Sequence, residues 1–359
     1  MGLTACGGEE GPAPGSRSPS DPAIEKVADE TLPKGFSGTL VAARGDELVH
    51  CEGFGQTDRE VGTKASCDTV YDLMSMTKQF TAAGILKLEM MGELSVDDPI
   101  TEHLDSVPRD KREITIAQLL NHSSGLIDAL GDDYEPIARD QMLAGAFKSE
   151  LQSRPGARYS YSNLGYSVLA ALIEEVSGES YEQFLSQNLF EPAGMAATGY
   201  VLPDWDTEQV AVEYDAGGGS QGRPFDHPWA DDGPYWNLRG NGGMLSTARD
   251  MYRWHLALVG EEVLDDEAKG KLFRPWLPEE PGGDSYSGFG WVVQETELGR
   301  IAWHDGGNGW SFGLVTRVLE DNSMAFWITN QWKNDDFGWS AQDFAGELTE
   351  GVLGQLQEA

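Results

Sequence analysis

Val70-Tyr71-Asp72-Leu73-Met74-Ser75-Met76-Thr77-Lys78-Gln79-Phe80-Thr81-Ala82-Ala83-Gly84-Ile85-Leu86-Lys87-Leu88-Glu89-Met90-Met91-Gly92 decides how the chain folds. Val70–Ser75 reads as a short strand running into a helix that spans about Ser75 to Met91. Apolar residues from Phe80 to Met91 lie nearly all round that helix, so it is expected to be buried at the centre of the molecule. Gly92 stands where a left-handed residue caps a helix C-terminus. Ser75 and Lys78, three residues apart, share one face of the first turn. A helix N-terminus offers N–H groups and a positive dipole end, which favour a developing oxyanion and disfavour a protonated lysine. A lysine desolvated there acts as a base towards serine. By itself Ser-x-x-Lys also fits an N-cap serine with a surface lysine, and it arises by chance about once in a chain of this size. An idle lysine on so apolar a helix would, however, be costly.

Upstream, two β-prone runs flank Gly45-Asp46, a hairpin signal. Downstream the pattern turns helical. Thr115-Ile116-Ala117-Gln118 forms a capping box, with Ile114 and Leu119 placed as a hydrophobic staple. Asn163 to Val176 reads as a helix ended by Gly178, Ser180 to Gln183 as a second capping box, and Thr247 to Asp250 as the start of a helix through Leu258. Residues 201–243, rich in Gly, Pro, Asp and Trp, read as long surface loops. From Tyr286 strands return, with turns at Gly299, Gly306-Gly307 and Asp321-Asn322, and Ala341 to Leu356 reads as an amphipathic helix. Strands thus open and close the chain. The expected architecture is one antiparallel sheet built from both ends around an inserted helical domain. Residues 1–22 are then a tether, 23–95 and 245–359 the sheet domain, and 96–244 the helical domain.

The chain has 359 residues, 40% of them apolar, which is enough for a sizeable core. No uncharged apolar run reaches the roughly 18 residues of a membrane helix. Sixty acidic against 25 basic residues give a net charge of −35, which repels nucleic acid and anionic lipid and handicaps anionic substrates. That charge serves solubility or, with acids spread along the chain and lysine scarce, adaptation to salt. Cys6, Cys51 and Cys67 show no metal-ligand spacing, so no structural zinc site is expected. Leu3-Thr4-Ala5-Cys6 resembles a bacterial lipobox and is followed by a flexible Gly-, Pro- and Ser-rich stretch. No basic and apolar leader precedes it, so the start is expected to be truncated or misassigned. Cys6 is the expected lipidation site and the one expected contact with a membrane. Export would also permit a disulfide between Cys51 and Cys67.

Two further motifs carry chemistry. Tyr161-Ser162-Asn163 follows Pro155-Gly156 at a loop-to-helix junction; tyrosine relays protons and asparagine binds an amide or carbonyl, although a helix cap with a core tyrosine would look the same. His304-Asp305-Gly306-Gly307 ends a predicted strand, with His304 and Gly306 on one face and Asp305 on the other. Glycines there let a substrate lie along the strand edge, and the Gly307 N–H is placed as an oxyanion donor. A hairpin turn with an incidental histidine is the bland alternative.

In this order the three motifs resemble the serine β-lactamase and penicillin-binding-protein superfamily, with its Ser-x-x-Lys, Tyr/Ser-x-Asn and Lys/His-x-Gly elements. The Tyr-Ser-Asn form is similar to the class C β-lactamase, DD-peptidase, aminopeptidase and esterase branch. Leu119–Leu126 and Gly242–Met251 are similar to two flanking family segments, so the likeness runs over about residues 35–350. The resemblance implies an α/β sandwich with an inserted all-helical domain and the site between them. It implies Ser75 as nucleophile, Lys78 as its base and Tyr161 as proton shuttle. Asn163, His304 and Gly306 would bind substrate, and the N–H groups of Ser75 and Gly307 would form the oxyanion hole. Tyr159 competes with Tyr161, but the motif register favours Tyr161; the stretch around His122 reads as structural. No metal or organic cofactor is implied. Expected partners are a small ester, amide, β-lactam or D-amino-acid peptide, in a periplasmic or cell-envelope location. Class C enzymes carry lysine where this chain has His304, which ranks ester or peptide hydrolysis above β-lactam turnover. A non-catalytic penicillin-binding sensor is the reading from another class.

Overall fold

Asp21 starts the first helix: its carboxylate accepts hydrogen bonds from the N–H groups of Ala23 and Ile24, and Pro22 sits in the first turn, where no N–H is needed. This computed structural model describes residues 18–358. Cys6 and most of the expected tether lie outside the described residues. The helix, α1 (Pro22–Thr31), lies against the last one, α9 (Ala341–Glu358), and both cover one face of an eight-stranded antiparallel sheet.

That sheet joins the two ends of the chain. The early hairpin is β1 (Gly38–Arg44) and β2 (Glu47–Phe54), turning at Gly45-Asp46. With β3 (Val70–Asp72) and β4 (Leu245–Thr247) forming a separate two-stranded ribbon, the remaining sheet strands are β5 (Leu277–Pro278), β6 (Ser285–Ser287), β7 (Val292–Thr296), β8 (Gly299–Gly307), β9 (Phe312–Val318) and β10 (Ser323–Thr329). The order is β5-β6-β7-β8-β9-β10-β1-β2, with Gly38 opposite Thr329 where the first and last strands meet. β10 is buried along its whole length because both faces are covered. Ala325 and Trp327 point towards α1 and α9, while Met324, Phe326 and Ile328 point into the larger core on the other side.

The larger core surrounds α2 (Lys78–Met91), in which Lys78 through Leu86 are all buried. Gly92 ends it with φ +78°. Ser75 itself lies in a single 3₁₀ turn, Met74–Thr77, that leads into α2. Around α2 stand α3 (Ile116–Leu120), α4 (Arg139–Lys148), α5 (Asn163–Ser177), α6 (Tyr181–Leu185), α7 (Ala248–Val259) and α8 (Asp266–Leu272). The Thr115–Gln118 capping box forms in full, and Ser162 caps α5 by accepting from Gly165 N at 2.9 Å. No helix among the described residues is long and apolar enough to cross a membrane.

Three local expectations need correction. Ser180 does not cap α6; its hydroxyl donates to the Gln183 side chain at 3.1 Å, so no reciprocal box forms. Gly306 and Gly307 continue β8 instead of turning, and the chain reverses at 308–311. The end of the 201–243 stretch is not surface loop. Trp236 through Met244 are buried apart from no more than slight exposure, because they run beneath α2. Periodicity does not report that, since a buried irregular segment satisfies its polar groups by tertiary hydrogen bonds.

Cys51 and Cys67 are joined, with Cα atoms 6.0 Å apart and a sequence separation of 16. A link closing a loop of this size should contribute about 3 kcal/mol. The Cys51→Ala/Cys67→Ala variant is expected to lose about that much in urea unfolding, and a loss under about 1 kcal/mol would contradict the assignment.

Candidate active site

The turn that carries Ser75 is fixed by Asp72, whose buried carboxylate accepts from Met74 N at 2.6 Å. Met74 is held at φ +49°, a conformation that costs a β-carbon-bearing residue about 1 kcal/mol. Burial and the neighbouring Glu213 push the Asp72 carboxyl above the usual range.

Lys78 has no exposed surface, and its Nζ meets three oxygens: Ser75 Oγ at 3.0 Å, Asn163 Oδ1 at 2.8 Å and the Asn241 carbonyl at 2.7 Å. The two asparagine oxygens only accept. In the neutral amine they take both N–H bonds, and the lone pair is left facing the Ser75 hydroxyl. Burial lowers the Lys78 pKa from 10.5 to about 7, against the opposing pull of Asp128, Asp133 and Asp305. The Asn163 amide is oriented by donating from Nδ2 to Asp128 Oδ1 at 3.1 Å, so its oxygen faces the lysine.

Tyr161 donates its hydroxyl to Ser75 Oγ at 3.0 Å. Burial raises its pKa, so it stands as a neutral phenol. Its ring stacks on His122 at 4.5 Å, and the Lys78 Nζ lies 4.8 Å from the ring centre. His122 accepts from Ser162 N through Nδ1 at 3.1 Å, and burial then Lys78 hold its pKa well below the usual value. It is a neutral plate that sets the tyrosine ring. Tyr159 meets only the edge of His122, at 5.7 Å.

His304 is buried on β8, and its Nδ1 is 2.5 Å from the Asp305 carbonyl. Burial, then the nearby Lys78, lower its pKa to about 4, so it is neutral at pH 7. With His122, Tyr159 and Tyr161 it lines a cavity of about 190 Å³. β7 pairs with β8 only up to Trp303, which leaves the His304–Gly307 edge without a strand partner, beside the Ser75 turn. The structure thus brings Ser75, Lys78, Tyr161 and Asn163 into one hydrogen-bonded cluster, with His304, Gly306 and Gly307 along its edge. Sequence reading missed Asp72, Asp128 and Asn241. The first lies inside the Ser75 stretch; Asp128 lies two residues after Leu119–Leu126 and Asn241 directly precedes Gly242–Met251.

Central helix, antiparallel sheet and this cluster define a fold of the β-lactamase/transpeptidase type. The D-amino acid amidase from Ochrobactrum anthropi SV3 superposes with a TM-score of 0.78 at 22% identity, over 94% of this chain and 98% of that one. The chain belongs to the beta-lactamase family, whose model matches residues 29–346. Penicillin-binding protein 4* of Bacillus subtilis (strain 168) is 29% identical over 317 residues, covering 84% of this chain and 70% of its own length. Putative penicillin-binding protein PbpX of the same strain is 30% identical over 269 residues, covering 75% and 65%. The chain therefore spans about two thirds of these relatives.

Gly306 tests the geometry directly. A β-carbon there would stand 2.7 Å from the Leu73 carbonyl and 3.1 Å from Ser75 N, so strand and turn must separate. Gly306→Ala is expected to cost about 1–3 kcal/mol of stability and to slow fluorophosphonate labelling of the protein about tenfold or more. Unchanged labelling would show that strand and turn do not act together.

Proposed function

We propose that the protein is a serine hydrolase that cleaves small esters or amides through an acyl-enzyme on Ser75. The observation that carries this reading is the placement of Ser75 Oγ at 3.0 Å from both Lys78 Nζ and Tyr161 OH, with the lysine pKa near 7. Lys78 takes the Ser75 proton as Oγ attacks the carbonyl carbon. The N–H groups of Ser75 and Gly307 receive the oxyanion. Tyr161 passes a proton to the leaving group, and the proton that Lys78 took from Ser75 replaces it. Water then attacks the acyl-enzyme by the same route in reverse. Asn163 orients the substrate and Lys78 together.

Neutral His304 leaves the strand edge without a cation for a substrate carboxylate. That favours neutral esters, and amides of amino acids as the second arm, over β-lactams. We place the protein outside the cytoplasm, on the Cys51–Cys67 link and the lipobox-like Leu3–Cys6. Lipidation of Cys6 would be its tie to the membrane.

Fluorophosphonate labelling is expected on Ser75, with Ser75→Ala losing both label and turnover; label on another serine of the intact protein refutes the assignment. Lys78→Ala and Tyr161→Phe should each cost about 10²–10⁴ in kcat, and the double variant far less than the product. Full additivity, or a greater loss at Tyr159→Phe, would separate the two as a unit.

Because the base is the neutral amine, kcat/KM on a neutral ester should rise with pH through a midpoint near 7 and fall away below it. A missing cation costs about 1.5–3 kcal/mol of carboxylate binding, or one to two decades. A neutral p-nitrophenyl ester should therefore outpace nitrocefin by about tenfold or more, with the gap narrowed but present in 1 M NaCl. His304→Lys should help nitrocefin more than the ester. Equal low-salt rates in the wild type would remove the charge argument.

A further inference from the structure

Arg317 on β9 is 2% exposed and has no carboxylate partner among the described residues. Its Nη1 donates to His255 Nδ1 at 2.7 Å and to the His255 carbonyl at 3.2 Å, while its Nε has no partner. His255 carries no compensating charge: its Nε2 faces the Gly45 carbonyl at 2.7 Å, and burial and the arginine hold the ring neutral. Arg317 also stands with its guanidinium 5.8 Å from the Phe273 ring centre, which offers a weak cation–π contact and no anion. A buried guanidinium in this state is expensive.

The arginine lines a cavity of about 550 Å³ between the end of α7, α8 and strands β8 and β9. Lys269, Arg274 and Arg300 line it too, with Asp266 as its one acidic residue. Asp266 is engaged by Lys269 at 3.0 Å, and Arg300 pairs outward with Glu295. Arg274 lies over the Trp276 ring at 4.3 Å and has no ion pair among the described residues. Four cations thus converge on one cavity in a chain with 60 acidic and 25 basic residues. Arg317 stands opposite Ala302, two residues before His304 on β8, but the cavity opens towards Arg300, Leu319 and Asn322 and shares no lining residue with the pocket at His304.

We infer that this cavity is a binding site for a phosphate-type oxyanion, held by Arg317 at its floor and by Arg274, Lys269 and Arg300 around it. The planar guanidinium fork suits a multivalent oxyanion better than chloride. The anion would supply the counter-charge that the fold withholds from Arg317. A free phosphate and a lipid phosphate share this chemistry; the net charge of −35 favours the free ion, because it opposes approach to an anionic surface.

The test titrates the full chain with inorganic phosphate at constant ionic strength, made up with NaCl, and follows calorimetric binding and thermal unfolding. Wild type should bind one phosphate saturably and melt about 2 °C higher at ten times Kd. Arg317→Met should abolish binding. Should that variant fail to fold, two others decide the matter. Arg274→Ser, at an exposed position, should weaken binding about fivefold or more. Gly270 on α8 lines the cavity, and a β-carbon there meets open space, so Gly270→Glu adds a carboxylate without a clash. It should raise the melting temperature in phosphate-free buffer and remove the phosphate response. No saturable binding by wild type, or equal affinity in wild type, Arg274→Ser and Gly270→Glu, overturns the site. In the second arm, sedimentation with phosphatidylglycerol–phosphatidylcholine vesicles should carry down no protein; co-sedimentation that Arg274→Ser abolishes would overturn the free-ion form.

Discussion

A lysine amine with no exposed surface has to be fed by protein oxygens alone, and the arrangement of the molecule around α2 follows from that constraint. Lowering the Lys78 pKa from 10.5 to about 7 corresponds to about 5 kcal/mol of bias against the ammonium form. Three nearby carboxylates pull the other way and lose, because burial is the larger effect. The burial comes from the helix itself, apolar on every side, and from the irregular segment ending at Met244, which passes under it and offers the Asn241 carbonyl. α5 contributes Asn163 from its first turn, and Asp128 turns that amide so that its oxygen, not its nitrogen, faces the amine. The same cluster leaves one direction open to the lone pair, and Ser75 occupies it.

Much of this was legible in the sequence for reasons that are local. The all-round apolar pattern of α2, the Thr115–Gln118 box and Gly178 are short-range signals, and each governs structure within a few residues. The three motifs of the site are likewise short, and they place Ser75, Lys78, Tyr161 and Asn163 where the structure brings them together. What escaped depends on distant partners. Asn241 acts through its backbone carbonyl, which no residue type advertises. Asp128 looks like any loop acid until α5 is docked against it. Gly306-Gly307 reads as a turn because glycine pairs usually are, whereas here Gly306 keeps β8 narrow enough to lie against the Ser75 turn and Gly307 faces the Trp332 ring. Ser180 has the residue spacing of a capping box, but its hydroxyl prefers the Gln183 side chain to the backbone.

Charge is distributed on two scales. At the surface acids dominate, and their sum sets which solutes approach. Inside, the lowered pKa of Lys78 and the neutral states of His122, His304 and Tyr161 around Ser75 are set by loss of water more than by any charged neighbour. The two scales therefore respond differently to salt: screening reaches the outer field and leaves the buried groups nearly untouched.

The sheet has a consequence for how the chain is made. β1 lies between β2 and β10, and Thr329 donates its hydroxyl to the Ser37 carbonyl across a sequence separation of 292. During synthesis the N-terminal hairpin, the Ser75 turn with α2 and the helices around it all emerge before the strands that must flank them. The central strand pairing waits until almost the whole polypeptide has left the ribosome. A nascent or C-terminally shortened chain holds Ser75 without the β8 edge beside it. Such topology delays assembly of the sheet until the chain is finished.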